Sequence, residues 1–124
     1  MSQYSTDTLV RETKQLGITL SEKQMQQFIR YYELLVEWNS FMNLTAITEY
    51  EEVMEKHFVD SLAAVKVCDF HQVKTLIDIG TGAGFPGIPL KIAFPHLEVV
   101  LLDSLNKRTK FLNEVINQLG LENI

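Results

Sequence analysis

The sequence predicts an α/β fold, with a helical first half and a β-α-β-α second half. Three observations carry this. Met25, Phe28, Ile29, Tyr32, Leu35 and Val36 recur at three- and four-residue steps, which lays one apolar stripe along a helix. Two short β-branched and apolar runs, Thr75–Ile79 and Glu98–Leu102, come later in the chain. Each run is followed by a segment of helical period, and strands joined through helices pair in parallel with right-handed crossovers.

Taken in order, the spacing predicts a first helix over about Thr6 to Leu16, stopped by Gly17. Ser21 and Gln24 stand at capping-box spacing, where two side chains satisfy each other's orphan backbone N–H groups. The helix they open runs to about Ser40, and residues 43–47 form a connector. Thr48 and Glu51 repeat the capping-box spacing ahead of a helix from Glu49 to Lys56, and another helix follows from about Phe58 to Val67. The run Thr75–Ile79 is a buried strand, and Pro86–Phe94 is a helix ended by Pro95. After the strand Glu98–Leu102 comes a helix from Leu105 to Leu119, with Phe111, Leu112, Val115, Ile116 and Leu119 on one face and Gly120 past its end. Glu122-Asn123-Ile124 leads toward a third strand.

The chain has 124 residues, enough for one modest domain. Its 46% apolar and 22% charged residues are ordinary for a soluble globular protein. A net charge of −5 argues against a strongly basic nucleic-acid binder, while leaving room for a local basic patch. Cys68 is the only cysteine, so no intrachain disulfide forms, which fits a reducing cytoplasm. Cys68 itself reads as a small apolar residue at a helix end. The opening Met1-Ser2-Gln3-Tyr4 lacks the apolar core of a signal peptide. No apolar run reaches the roughly 20 residues of a membrane span. Two parallel strands and a stub leave the first strand with an open edge, although parallel sheets are normally buried on both faces. The expectation is the front portion of a longer protein, or a sheet completed by a partner chain through self-association at that edge.

The most informative stretch is Asp78-Ile79-Gly80-Thr81-Gly82-Ala83-Gly84-Phe85-Pro86-Gly87, between the first strand and its helix. Glycines at alternate positions let the main chain curl tightly and come close to a ligand. The turn sits at the carboxyl end of a strand, where open α/β sheets bind nucleotide-type cofactors. Gly82, Gly84 and Gly87 fit the dinucleotide pattern G-x-G-x-x-G, which alone is weak and leaves an NAD(P)-dependent oxidoreductase as an alternative. Shifted back, Gly80, Gly82 and Gly84 give G-x-G-x-G preceded by Asp78, which resembles motif I of S-adenosylmethionine-dependent methyltransferases. An acidic residue there suits a cofactor bearing an ammonium group, either by attracting it or by ordering the loop, whereas it would repel a pyrophosphate. Asp103, at the end of the second strand, can accept hydrogen bonds from ribose hydroxyls, or it can cap the helix that Ser104 and Leu105 open.

Other candidates have a structural and a functional reading side by side. Lys107, Arg108 and Lys110 form the one basic cluster, a solvated helix face or a phosphate contact. His57 and Asp60 share a helix face, as a packed pair or an acid/base pair. Asn43 caps or turns the backbone, or touches RNA. Met25, Met42, Met54, Phe28, Trp38 and Phe41 read as packing residues, with Trp38 the one candidate for stacking on a base.

Four segments together resemble one family. Asn43-Leu44-Thr45-Ala46-Ile47-Thr48, His57-Phe58-Val59-Asp60-Ser61-Leu62, the Asp78–Pro89 loop and Leu102-Asp103-Ser104-Leu105-Asn106-Lys107-Arg108 look like signatures of the RsmG family, also called GidB. The resemblance covers about Leu20 to Ile124. It implies methylation of a guanine at N7 in small-subunit ribosomal RNA with S-adenosylmethionine. It also implies a Rossmann-like methyltransferase fold carrying an N-terminal helical extension. On that reading residues 1–70 are the extension and 71–124 the first part of the methyltransferase domain, truncated after two strands. Gly80, Gly82, Gly84 and Phe85 would line the cofactor site beside Asp78, with Asp103 at the ribose. The family's further cofactor and RNA positions would fall beyond Ile124, so a non-catalytic scaffold remains an alternative for these 124 residues. No catalytic base and no metal ligand is expected.

Overall fold

The computed structural model describes residues 4–124, so Met1, Ser2 and Gln3 of the polar opening lie outside the described residues. Helix α1 spans Asp7–Gln15 and helix α2 spans Glu22–Met42. The capping box at the start of α2 forms: the Ser21 side chain accepts from the Gln24 N–H, and the Gln24 side chain accepts from the Ser21 N–H. Gln24 also donates to the Ile92 carbonyl, which ties the start of α2 to the second half of the chain. Asn43, in the left-handed region, ends α2, so its structural reading as a cap holds.

The next helices differ from expectation. Helix α3 (Tyr50–Val53), a π-helical stretch (Met54–Val59), helix α4 (Asp60–Leu62) and a 3-10 turn (Ala63–Lys66) run on without the predicted break. The capping box of Thr48 and Glu51 does not form, because α3 starts one residue later with Glu49 as its N-cap. The Glu51 carboxylate accepts from the Thr8 hydroxyl of α1, and the Thr48 carbonyl accepts from the Tyr32 hydroxyl of α2.

Strands β1 (Thr75–Ile79) and β2 (Glu98–Leu102) pair in parallel, Thr75 opposite Glu98 and Ile79 opposite Leu102. Helix α5 (Gly87–Ala93) connects them, and α6 (Asn106–Leu119) follows, closed by Gly120. The segment 121–124 is not a strand, yet the Val99 N–H donates to the Asn123 carbonyl at 2.9 Å. The chain thus lies against the β2 edge away from β1, since alternate N–H groups of a strand point to opposite sides. Among the described residues no helix is long and apolar enough to cross a membrane.

One continuous core joins both halves. Phe28, Tyr31, Leu34 and Leu35 of α2 pack with Phe58, Leu62, Ile88, Leu90, Ile92, Phe111 and Val115. The buried arc of α2 is wider than one stripe, because α3 and the π-helical stretch flank one side and α5 and α6 the other. Tyr31 and Leu34 are therefore inside, whereas Val36 and Phe41 face outward, against the expectation that both pack in the core. The sheet has one covered face, with Asp78 and Val99 buried. Its other face carries Ile77, Ile79, Val100 and Leu102, all exposed, Ile79 at 79%.

Candidate functional site

The turn after Ile79 leaves β1 and enters α5 at the carboxyl ends of both strands. The N–H groups of Gly80 and Thr81 both donate to the Leu102 carbonyl, at 2.7 and 3.1 Å, so the turn is anchored to β2 from its first residue. Glycines have no side chains with which to hold such a turn, and its ties come from elsewhere.

Two carboxylates supply the side-chain acceptors. Asp78 is buried, and its Oδ2 accepts from the Thr81 hydroxyl at 2.6 Å and from the Gly87 N–H at 2.9 Å. Asp103 works from the β2 side. Its Oδ2 accepts from the Gly82 N–H and its Oδ1 from the Leu105 N–H, each at 2.9 Å, and Arg108 Nη1 lies 3.5 Å from Oδ2. The Leu105 N–H, then the Gly82 N–H and the Arg108 guanidinium, hold the Asp103 carboxyl below the usual aspartate range against some desolvation. Its charge is retained although the side chain is only 3% accessible.

The back of the turn rests on an aromatic cluster. Tyr31 is fully buried and donates its hydroxyl to the Ala83 carbonyl at 2.5 Å. Burial, with the Asp78 charge adding, raises its pKa well above that of an ordinary tyrosine, so it remains a neutral donor. Phe85, half-buried, stacks on His57 with ring centroids 4.5 Å apart and planes 10° from parallel, and leans on Tyr31 and Phe58. His57 Nε2 hydrogen-bonds Thr45 Oγ1 at 2.8 Å. Partial burial pushes the His57 pKa below the usual histidine value, with Asp60 opposing.

The glycines divide into two sets. At Gly80 (φ +71) and Gly82 (φ +60) an added Cβ would meet nothing within 4 Å. At Gly84 (φ +102) it would sit 2.5 Å from Tyr31 Oη and 2.7 Å from Ile88 Cδ1. At Gly87 it would run into Leu101 and the Asp78 side chain. The turn therefore has an open face, where bare main chain meets solvent, and a closed face pressed by α2, α5 and the sheet.

Asp78, Gly80, Gly82, Gly84, Phe85 and Asp103 all converge on this turn, but in different places. Gly80, Gly82 and Asp103 belong to the open side. Asp78, Gly84 and Phe85 stand behind it, and the Asp78 carboxylate is engaged in ordering the loop. Asp103 is not the N-cap of α6, which is Leu105; instead it accepts from the Leu105 N–H just ahead of that helix and holds the glycine turn through the Gly82 N–H. The expected pairing of His57 with Asp60 is replaced by Phe85 and Thr45, and Asp60 is exposed. Sequence reasoning missed Tyr31, whose partner lies 52 residues away, and the roles of two residues inside the motifs: the Thr81 hydroxyl bonds Asp78, and Arg108, read as part of a basic cluster, pairs with Asp103.

The turn thus presents bare main chain at Gly80 and Gly82 beside a fixed anion. Residues 24–124 match the GidB family, described as rRNA small subunit methyltransferase G. The chain is 62% identical over 117 residues to Ribosomal RNA small subunit methyltransferase G of Lachnoclostridium phytofermentans, covering 94% of this chain and 48% of that protein. The protein of the same name from Exiguobacterium sp. (strain AT1b) is 61% identical over 87% of this chain and 45% of its own length. That of Lysinibacillus sphaericus is 57% identical over 93% of this chain and 48% of its own. The chain spans about half the length of the curated relatives it matches. With its helices and parallel strand pair, this chain belongs to the GidB family of rRNA small subunit methyltransferases.

Proposed function

We propose that this chain carries the cofactor-holding part of an S-adenosylmethionine-dependent methyltransferase acting on guanine N7 of small-subunit ribosomal RNA. The observation that carries this is the open face of the turn, where Gly80 and Gly82 expose bare main chain beside the ionised Asp103. The residues present fit the cofactor, because side chains at these two glycines would fill the space a ligand needs. Gly80 and Gly82 let the cofactor approach the backbone, and Asp103 has unshared electron pairs left to accept its ribose hydroxyls. Asp78, Gly84 and Phe85 fix the loop from behind.

S-adenosylmethionine, when bound, supplies an electrophilic methyl group, and guanine N7 has a lone pair needing no prior deprotonation. The chain's task is to hold and align, and positioning alone is worth roughly 7–11 kcal/mol. In the same reading residues 1–70 form a helical extension and 71–124 part of a Rossmann-like domain, set in the cytoplasm with the other RNA-modifying enzymes. The uncovered sheet face and the open β1 edge are what a larger parallel sheet would bury.

The oxidoreductase reading needs Gly84 open so that a pyrophosphate can approach, and Gly84 is sealed by Tyr31 and Ile88. It also needs free N–H groups at the start of α5, where the Gly87 N–H is already given to Asp78. Calorimetry with S-adenosylhomocysteine tests the proposal. Heat of binding that Gly82→Ala removes is the expected result. NADH binding, with no response to S-adenosylhomocysteine, would overturn it.

A further inference from the structure

Helices α2 and α6 lie antiparallel in a regular seam. Gln27 of α2 donates to the Leu119 carbonyl of α6, Arg30 donates to Gln118, and the Trp38 ring lies 5.8 Å from Phe111. One turn further the seam reaches the end of α2 and the first turn of α6. There Phe41 is 65% exposed and packs only partly on Trp38, at 5.4 Å. Lys107 precedes Phe111 by one helical turn and so stands on the α2 side of α6, and Lys110 is on the same flank. Both lysines are exposed. Arg108, between them, pairs with Asp103 and so joins this end of the seam to the rim of the glycine turn.

We infer that the open end of the α2–α6 seam is a docking surface for single-stranded RNA, with Phe41 and Trp38 stacking an unpaired base and Lys107 and Lys110 holding the flanking phosphates. The choice of RNA as partner rests on the function proposed above, and the surface itself rests on the seam's geometry. Phe41 presents an exposed ring tilted against the half-buried Trp38, and base stacking on such rings is tolerant of sequence. Two lysines beside the rings give local positive charge on a chain whose net charge is −5. The acidic groups nearby, Glu37 and Glu114, fall on the neighbouring turns of α2 and α6 and keep the attraction confined to this end. A nucleotide held here lies beside Asp103, so the seam would present RNA next to the cradle.

Trp38 is the only tryptophan, and its fluorescence reads the seam directly. The 124-residue chain is titrated with a single-stranded oligoribonucleotide at about 0.1 M salt. The expected result is quenching of Trp38, with affinity weakened about fivefold or more by Phe41→Ala and restored by Phe41→Tyr. The pair Lys107→Glu and Lys110→Glu should weaken binding about tenfold and lower the salt slope by about one to two. Circular dichroism and binding of S-adenosylhomocysteine stay unchanged in these variants. Absence of quenching, or unaltered affinity in both sets of variants, overturns the surface. So does Phe41-dependent dimerisation in light scattering without RNA quenching, which would assign the seam to a second copy. Loss of the cofactor reading would instead show as no response to S-adenosylhomocysteine in the unsubstituted chain, with the fluorescence result standing apart.

Discussion

Gly82 and Gly84 differ by two positions and share a positive φ, yet alanine should act on them in opposite ways. At Gly84 the new Cβ would sit 2.5 Å from Tyr31 Oη and 2.7 Å from Ile88 Cδ1. Neither neighbour can step aside. Both are fully buried, the Tyr31 ring is stacked on Phe58 at 5.0 Å, and its hydroxyl is fixed on the Ala83 carbonyl. Overpacking of this kind costs about 1–3 kcal/mol, and the left-handed backbone adds about 1–2 kcal/mol for any residue with a Cβ. Reduced freedom of the unfolded chain returns roughly 0.4–1 kcal/mol. Gly84→Ala should thus lose about 2–4 kcal/mol, which for a domain of this size lowers Tm by roughly 8–16 °C.

At Gly82 the backbone cost remains, but no steric cost follows, because nothing lies within 4 Å of the added atom. Its stability loss should stay near 1 kcal/mol, about 4 °C in Tm, while affinity for S-adenosylhomocysteine falls about tenfold or more. Thermal unfolding followed at 222 nm and calorimetry on the same samples separate the two variants. A Gly84→Ala protein melting within about 3 °C of the unsubstituted chain, or a Gly82→Ala protein that melts as early as Gly84→Ala and binds normally, would refute the division of the turn into open and closed faces.

Tyr31→Phe removes the donor to a buried carbonyl and should cost about 1–3 kcal/mol by urea unfolding. Combined with Gly84→Ala it should cost less than the sum, because removing the hydroxyl removes part of the clash, and strict additivity would contradict the contact. His57 has a folded-state pKa below its unfolded value, so the folded chain binds fewer protons. Its contribution is complete above the unfolded pKa of about 6.5 and is lost as pH falls toward the folded value. Urea midpoints measured from pH 8 to pH 5 should show that decline, and His57→Phe, which keeps a ring against Phe85, should flatten it. Ile77→Lys with Val100→Lys places charge on the uncovered sheet face. Light scattering should show less self-association with a stability change within about 1 kcal/mol, and a large loss of Tm would mean that the face is packed.

What was legible in the sequence was chemistry acting over a few residues. The strand bounds at Thr75–Ile79 and Glu98–Leu102, the Ser21–Gln24 box and the end of α6 at Gly120 all follow from neighbours within one turn or one run. Competition over longer distances was not legible. Thr48 and Glu51 have the spacing of a capping box, but α3 takes Glu49 as its N-cap and the Glu51 carboxylate is drawn to the Thr8 hydroxyl of α1. Phe41 has the composition of a core residue and lies at the helix end where the packing partner runs out. The candidate site divided in the same way. The positions of Asp78, the glycines and Asp103 could be read, while the partners that give each its role could not.

That division has a physical origin. A turn that must expose bare main chain cannot brace itself, because glycine offers no side chain and has the largest backbone entropy to lose. Its side-chain ties must come from residues other than the glycines, and here Asp78, Thr81, Tyr31 and Asp103 provide them. Hydrogen bonds to charged groups are worth about 1.5–3 kcal/mol each, enough for a few to offset the ordering of the turn. A carboxylate beside such a loop therefore has two employments open to it, bracing the loop from behind or standing at its open face. Asp78 is buried with the Thr81 hydroxyl and the Gly87 N–H converging on one oxygen, and is scaffold. Asp103 gives one backbone bond from each oxygen and stands at the rim of the open face, and so can brace the loop and still accept from a ribose. Substituting Asp78 should consequently be read first in stability, and substituting Asp103 first in binding.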